Sequence, residues 1–245
     1  MRLFPLLLFL LVAAAAVRPA SASPEAGLQL PLRSIGPAGM SGRITSIAVA
    51  PHDRDVWYIG AASGGLWKTV NGGTTFEPVF DGQPVQSIGA VAVAPSNPDV
   101  VYVGTGEGNP RNSQSGGAGL FKSYDGGCSW QSIGLEASRN VHRIIVHPRD
   151  EDTLWAGVLG DPFADSDTRG LYKSTDGGAS WRRVLYANPR SGIAELVMDP
   201  ENPNKLFAAL WEFRRTPWDF TSGGGGSGLF VSHDGGESWT ALGEA

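Results

Sequence analysis

One eight-residue pattern returns four times in this chain: Thr69-Val70-Asn71-Gly72-Gly73-Thr74-Thr75-Phe76, Ser123-Tyr124-Asp125-Gly126-Gly127-Cys128-Ser129-Trp130, Ser174-Thr175-Asp176-Gly177-Gly178-Ala179-Ser180-Trp181 and Ser232-His233-Asp234-Gly235-Gly236-Glu237-Ser238-Trp239. The copies stand about 50 residues apart, the length of one propeller blade. Upstream of each lies an apolar run ending in proline: Ile47–Pro51, Val91–Pro95, Ile144–Pro148 and Leu196–Pro200. Nine residues past each proline stands a small residue (Gly60, Gly104, Gly157 or Ala209), which the repeat predicts to close a second strand. A third strand leads into the turn, as in Gly119-Leu120-Phe121-Lys122, and a fourth follows it, as in Ser129-Trp130-Gln131-Ser132-Ile133. The first-strand runs are almost continuous rather than alternating, as in a sheet covered on both faces. A blade packed between two neighbours is covered in that way. The predicted fold is therefore all-β: a β-propeller of four-stranded antiparallel blades at 44–80, 88–134, 141–186 and 193–243. Composition agrees, because 34 Gly and 8 Trp with only 18% charged residues suit tight hairpins better than a helical bundle.

Each turn carries its own chemistry. A short Asp or Asn side chain accepts hydrogen bonds from nearby backbone N–H groups, and Gly supplies positive φ at little cost. The closing aromatic is placed to anchor the fourth strand. The turn set is therefore Asn71, Asp125, Asp176 and Asp234, with Phe76, Trp130, Trp181 and Trp239 as anchors. Three carboxylates in four copies invite an active-site reading. Their placement one per blade, on separate hairpins, makes them structural. The pattern resembles the Asp-box, or BNR, repeat, from which the first copy departs with Asn71 and Phe76. Residues 33–243 as a whole resemble the Asp-box propellers grouped with the sortilin N-terminal domain and the glycosyl-hydrolase-like BNR repeat proteins. Such propellers include sialidases, xyloglucan-degrading enzymes and a photosystem assembly factor, so the resemblance implies a fold more firmly than a function.

The start of the chain reads differently. Met1-Arg2, the apolar run Leu3–Val17 and the small-x-small triplet Ala20-Ser21-Ala22 form a secretory signal peptide over 1–22. The run is too short to span a bilayer, and the product is expected in the periplasm or outside the cell. Residues 23–43 form an extension in which Leu32-Arg33-Ser34-Ile35-Gly36 reads as a spare outer strand. Blade four already has its own fourth strand, so the repeat reads as part of a larger propeller, with further blades as possible partners, or else it closes as four blades with Leu32–Gly36 outside the ring. The single Cys128 has no intrachain partner. With 19 basic against 24 acidic residues the net charge is −5, and no basic field exists to hold nucleic acid.

Function is expected on the long loops between second and third strands in blades two to four, which share a rim with the blade-to-blade links. The predicted ligand-binding set is Arg111, Asn112, Arg143, Glu195, Trp211, Arg214 and Trp218. Exposed aromatics beside carboxylates and arginines suit a peptide, protein or carbohydrate ligand. Glycoside hydrolysis would need two carboxylates about 5–10 Å apart. Glu107, Asp161, Glu212 and Asp219 are candidates, but no spacing singles out a pair. No Tyr falls in the long loops, which disfavours a sialidase. Asp161, Asp165 and Asp167 could hold Ca²⁺, although they lack the EF-hand frame; no other cofactor is expected. A binding scaffold is the first reading, and part of a glycoside hydrolase is the alternative.

Overall fold

The computed structural model describes residues 43–243; the leader at 1–22 and the Leu32–Gly36 strand lie outside the described residues. Blade one comprises β1 (Ile44–Ala50), β2 (Asp53–Ala61), β3 (Gly65–Thr69) and β4 (Glu77–Pro78). Blade two comprises β5 (Ile88–Ala94), β6 (Asn97–Thr105), β7 (Leu120–Ser123) and β8 (Gln131–Ser132). Blade three comprises β9 (Val141–His147), β10 (Asp150–Val158), β11 (Gly170–Ser174) and β12 (Arg182–Leu185). Blade four comprises β13 (Ser191–Met198), β14 (Leu206–Arg215), β15 (Phe220–Ser222), β16 (Gly228–Ser232) and β17 (Thr240–Leu242). Each blade is an antiparallel sheet in sequence order, as the repeat predicts.

Blade four corrects two details. Its second strand does not close at Ala209 but runs on to Arg215, and the sheet has a fifth strand, because Phe213, Arg214 and Arg215 pair with Ser222, Thr221 and Phe220 of β15. The polar, Gly-rich insertion thus folds back on itself as a short hairpin. In blades one to three the proline starts the tight link from first to second strand. Its fixed φ suits a turn, and its missing N–H ends the ladder.

Blades stack in sequence order, and the inner strands show how. Residues four and two positions before the proline face the preceding blade; those three and one before face the next. Val91 and Val93 of β5 are 7% and 8% exposed, packed on Ala48 and Ala50 of β1 with Tyr58, Leu66, Phe80 and Phe121. Ile144 and Val146 of β9 pack on Ala92 and Ala94 in the second core. Leu196 and Met198 of β13 pack with Ile145 and Trp155 in the third. Hydrogen bonds cross the first gap as well: Thr45 Oγ1 donates to Ile88 O at 2.7 Å, and Val91 N–H donates to Ser46 Oγ at 3.0 Å.

Candidate functional site

Two rims can be compared. On the turn rim, Asp125 accepts from Ser129 N–H (2.8 Å), Ser129 Oγ (2.6 Å) and Ser123 Oγ (2.7 Å), while Ser123 Oγ accepts from Gly127 N–H (2.8 Å). Asp176 and Asp234 repeat the arrangement. Asn71 keeps it with the polarity adjusted: its Oδ1 accepts from Thr75 N–H, and its Nδ2 donates to Thr75 Oγ1. Gly126 and Gly127 hold φ of 65° and 92°, which a side chain would oppose. The aromatic ends reach backward. Trp130 Nε1 donates to Val79 O (2.6 Å) and Trp181 Nε1 to Ile133 O (2.7 Å), both in the preceding blade; Trp239 donates within its own turn.

The hydrogen bonds, led by that of Ser129 or Ser180, pull Asp125 and Asp176 from 3.8 down to about 2. A depressed folded-state pKa adds stability above the unfolded value and loses it as pH falls through the folded one. These turns should therefore hold at pH 4 and loosen as the pH approaches about 2. Asp125→Asn should remove that turn's share of the acid sensitivity while keeping its geometry, as Asn71 does. Acid titration followed by Trp fluorescence and circular dichroism checks this; an unchanged acid transition would refute it.

On the long-loop rim the carboxylates have local partners. Glu107 lies not on the open loop surface but fully buried, gripped by Arg43 at 2.7 and 2.6 Å, and its backbone carbonyl accepts from Gln114. The hydrogen bond from Arg43 to the Glu107 carboxylate is the main cause raising the Arg43 pKa. Asp161 accepts from Phe163 N–H and stands 3.6 Å from Arg139. Asp165 pairs with Arg214 at 2.8 Å. Glu212 accepts from Gly226 N–H (2.8 Å) and Asn188 Nδ2 (3.1 Å), which hold it below the ordinary Glu range. Asp219 is exposed. Arg143 grips Glu195 across the gap between blades three and four at 2.6 and 3.0 Å; burial pushes the Glu195 pKa up, but Arg143 together with the Leu196 N–H brings it below the ordinary value. Arg215 ties blade four to Asn112 of blade two at 2.7 Å, and Arg111 is exposed. Trp211 is half-buried, stacked 4.5 Å from Phe213, whereas Trp218 is 85% exposed. Among the described residues no three His, Cys, Asp or Glu side chains converge as metal ligands, Asp161, Asp165 and Asp167 included.

An open cavity of about 290 Å³ lies by the inner-strand starts and is lined from all four blades, through Thr45, Gly108, His142, Arg143, Ala194 and Trp211. His142 stands on the long-loop rim, at the start of β9. Burial, with Arg143 second, lowers its pKa to about 4, so the ring is neutral. Nε2 stands 3.2 Å from Ala194 O and donates to it, which leaves the buried Nδ1 an acceptor without a partner among the described residues. Three lysines were passed over. Lys68, Lys122 and Lys173 stand three residues before the Asp-box Asn or Asp, and each reaches the next blade: Lys68 donates to Gly126 O, Lys122 to Asp152, and Lys173 to Gly235 O. Their recurrence was the available signal.

A stack of antiparallel sheets locked by these turns defines an Asp-box β-propeller. The Sortilin-Vps10 family, described as sortilin, neurotensin receptor 3, matches residues 118–245, more than half of the chain. The chain belongs to that family. The oligoxyloglucan-reducing end-specific xyloglucanase of Emericella nidulans is 29% identical over 107 residues, 42% of this chain and 11% of that protein. Among solved structures, an ancestral GH74 enzyme superposes with a TM-score of 0.63 at 21% identity, covering 82% of this chain and 25% of the other. The GH74 xyloglucanase of Xanthomonas campestris gives 0.59 at 22% identity, covering 85% and 31%. At these identities the structural likeness speaks for the fold. The chain spans about a tenth of the curated relative and a quarter to a third of the solved ones. No helix among the described residues is long and apolar enough to cross a membrane.

Proposed function

We propose that the chain is an exported binding scaffold whose long-loop rim, centred on the four-blade cavity, holds a peptide, protein or glycan partner. The observation that carries this reading is the state of the rim carboxylates. Glu107, Asp161, Asp165, Glu212 and Glu195 each have a charged or amide partner, so no two of them stand free to flank one bond. General acid catalysis asks for a carboxyl with a raised pKa, and Glu212 and Glu195 are shifted the other way. Besides the exposed Asp219 and Arg111, the rim leaves open the cavity and the Trp218 indole. A large flat side chain so exposed stabilises the fold little and suits stacking on a sugar ring or an apolar side chain.

The test is a screen of the purified protein on glycan and peptide arrays, with hydrolysis followed on polysaccharides. Binding without turnover is expected, and Trp218→Ala should weaken the best hit roughly tenfold or more with unfolding stability unchanged within about 0.5 kcal/mol. Turnover abolished by Glu212→Gln or Asp161→Asn would overturn this reading. It would favour the second one, part of a glycoside hydrolase, which the partial match to a xyloglucanase supports.

A further inference from the structure

The first turn differs from the other three in a way that carries covalent chemistry. Asn71 precedes Gly72, and no other asparagine of the chain is followed by glycine. Asn97, Asn109, Asn188 and Asn202 precede proline, which has no N–H to act as nucleophile. Asn112, Asn140 and Asn204 precede Ser113, Val141 and Lys205, whose side chains crowd the approach. An asparagine before glycine is open to attack by the next main-chain nitrogen on its own side-chain carbonyl carbon, because glycine has no Cβ in the way. Asn71 also stands exposed on its rim. So do Asp125, Asp176 and Asp234, each with a described blade before it, so the exposure belongs to the turn and not to its place in the chain.

The fold holds both reacting groups back from this step. Asn71 Oδ1 accepts from Thr69 Oγ1 (2.9 Å) and Thr75 N–H (2.9 Å), and its Nδ2 donates to Thr75 Oγ1 (2.9 Å). The Gly72 N–H donates to Asp55 O at 3.0 Å. Side chain and nitrogen are released together only when the turn opens. The product of the reaction nevertheless fits the turn. Asp125, Asp176 and Asp234 place a carboxylate at this position, and its second oxygen accepts from a serine Oγ. With aspartate at position 71, the Thr75 hydroxyl needs only to rotate and donate.

We propose that Asn71 is a deamidation site latched by its own turn, and that the aspartate product completes the Asp-box of the first copy. The Gly72 nitrogen bonds to Asn71 Cγ. The Cγ–Nδ2 bond breaks, ammonia leaves with the proton of that nitrogen, and a cyclic imide remains. Water then opens the imide. Cleavage of the new Cγ–N bond gives aspartate. Cleavage of the original C–N bond gives isoaspartate, which routes the main chain through the side chain and lengthens the turn by a carbon. The net change turns an amide and water into a carboxylate and ammonium, with no oxidant or cofactor.

The test is incubation of the full chain at mildly alkaline pH, folded and in urea, with peptide mass spectrometry that separates asparagine, aspartate and isoaspartate. In urea Asn71 should convert faster than every other asparagine. In the folded chain it should convert roughly tenfold more slowly or less, the protection that a closed local structure gives. Thr75→Val removes the hydroxyl that takes Nδ2 and should speed conversion of the folded chain severalfold while leaving the rate in urea unchanged. Asn71→Asp should unfold in denaturant at a midpoint no lower than that of wild type. Equal rates in folded and unfolded chains, or a folded Thr75→Val rate equal to wild type, overturn the latch. An Asn71 that does not outpace the other asparagines in urea overturns the site, and a lowered Asn71→Asp midpoint overturns the fit of the product.

Discussion

Replacing Phe80 by alanine should destabilise the propeller by about 3–5 kcal/mol, the usual loss for a large aromatic cut from a core. Phe80 is 1% exposed at the seam of blades one and two. It meets Phe121 edge-on at 5.2 Å and Trp130 edge-on at 5.2 Å. The neighbouring Val79 carbonyl takes the Trp130 indole N–H, so truncation loosens both the apolar contact and the bond that holds the second turn to the first blade. In a repeat array stability is mainly the sum of each unit and its nearest-neighbour seams. Damage at one seam should therefore release blade one ahead of the others. Urea unfolding followed by Trp fluorescence should show an earlier first transition. A loss under about 1 kcal/mol would mean that this seam is not the close-packed one described.

The parts of this fold that depend on local pattern were legible in the sequence. Blade number and strand order follow from the repeated turn and the proline-ended runs, because neighbours cover both faces of a sheet and that cover is written as unbroken apolar sequence. The long-range pairings were hidden. Glu107 stands in a polar, Gly-rich loop and reads as solvated. Its burial depends on Arg43, far back in the chain, and no local spacing reveals that. Arg169 misleads in the same way. It is buried over the Phe213 ring at 4.6 Å and donates to Arg190 O at 2.9 Å; burial pulls it down to about 10, still protonated at neutral pH. Lys122 is the instructive case, because a lysine alternating with apolar residues ordinarily marks a wet face. Here its stem crosses a seam and its ammonium meets Tyr102 and Asp152, bonds strong enough to outweigh burial and raise its pKa. The β15 hairpin went unread because Thr216-Pro217-Trp218-Asp219 and the run Gly223–Gly226 look like loop throughout.

The small residue nine past each proline gives the second large expected effect. A Cβ at Gly104 would stand 2.4 Å from Val141 O and 3.0 Å from Val141 Cγ1, where β9 enters against the end of β6. At Gly60 it would meet the Ile88 side chain at 2.5 Å, and at Gly157 the Ile193 side chain at 2.8 Å. A methyl group against a backbone carbonyl can be relieved only by moving the strand, whereas an isoleucine can turn about its own bonds. Gly104→Ala should therefore lower stability by about 3 kcal/mol, the upper end for an overpacked core, and Gly60→Ala or Gly157→Ala by about 1. The lack of a side-chain carbon at these glycines is thus a requirement set by the next blade, not by the strand that contains them. Denaturant unfolding of the three variants decides the matter: an equal loss at all three positions would show that strand propensity, not the approach of β9, selects glycine there.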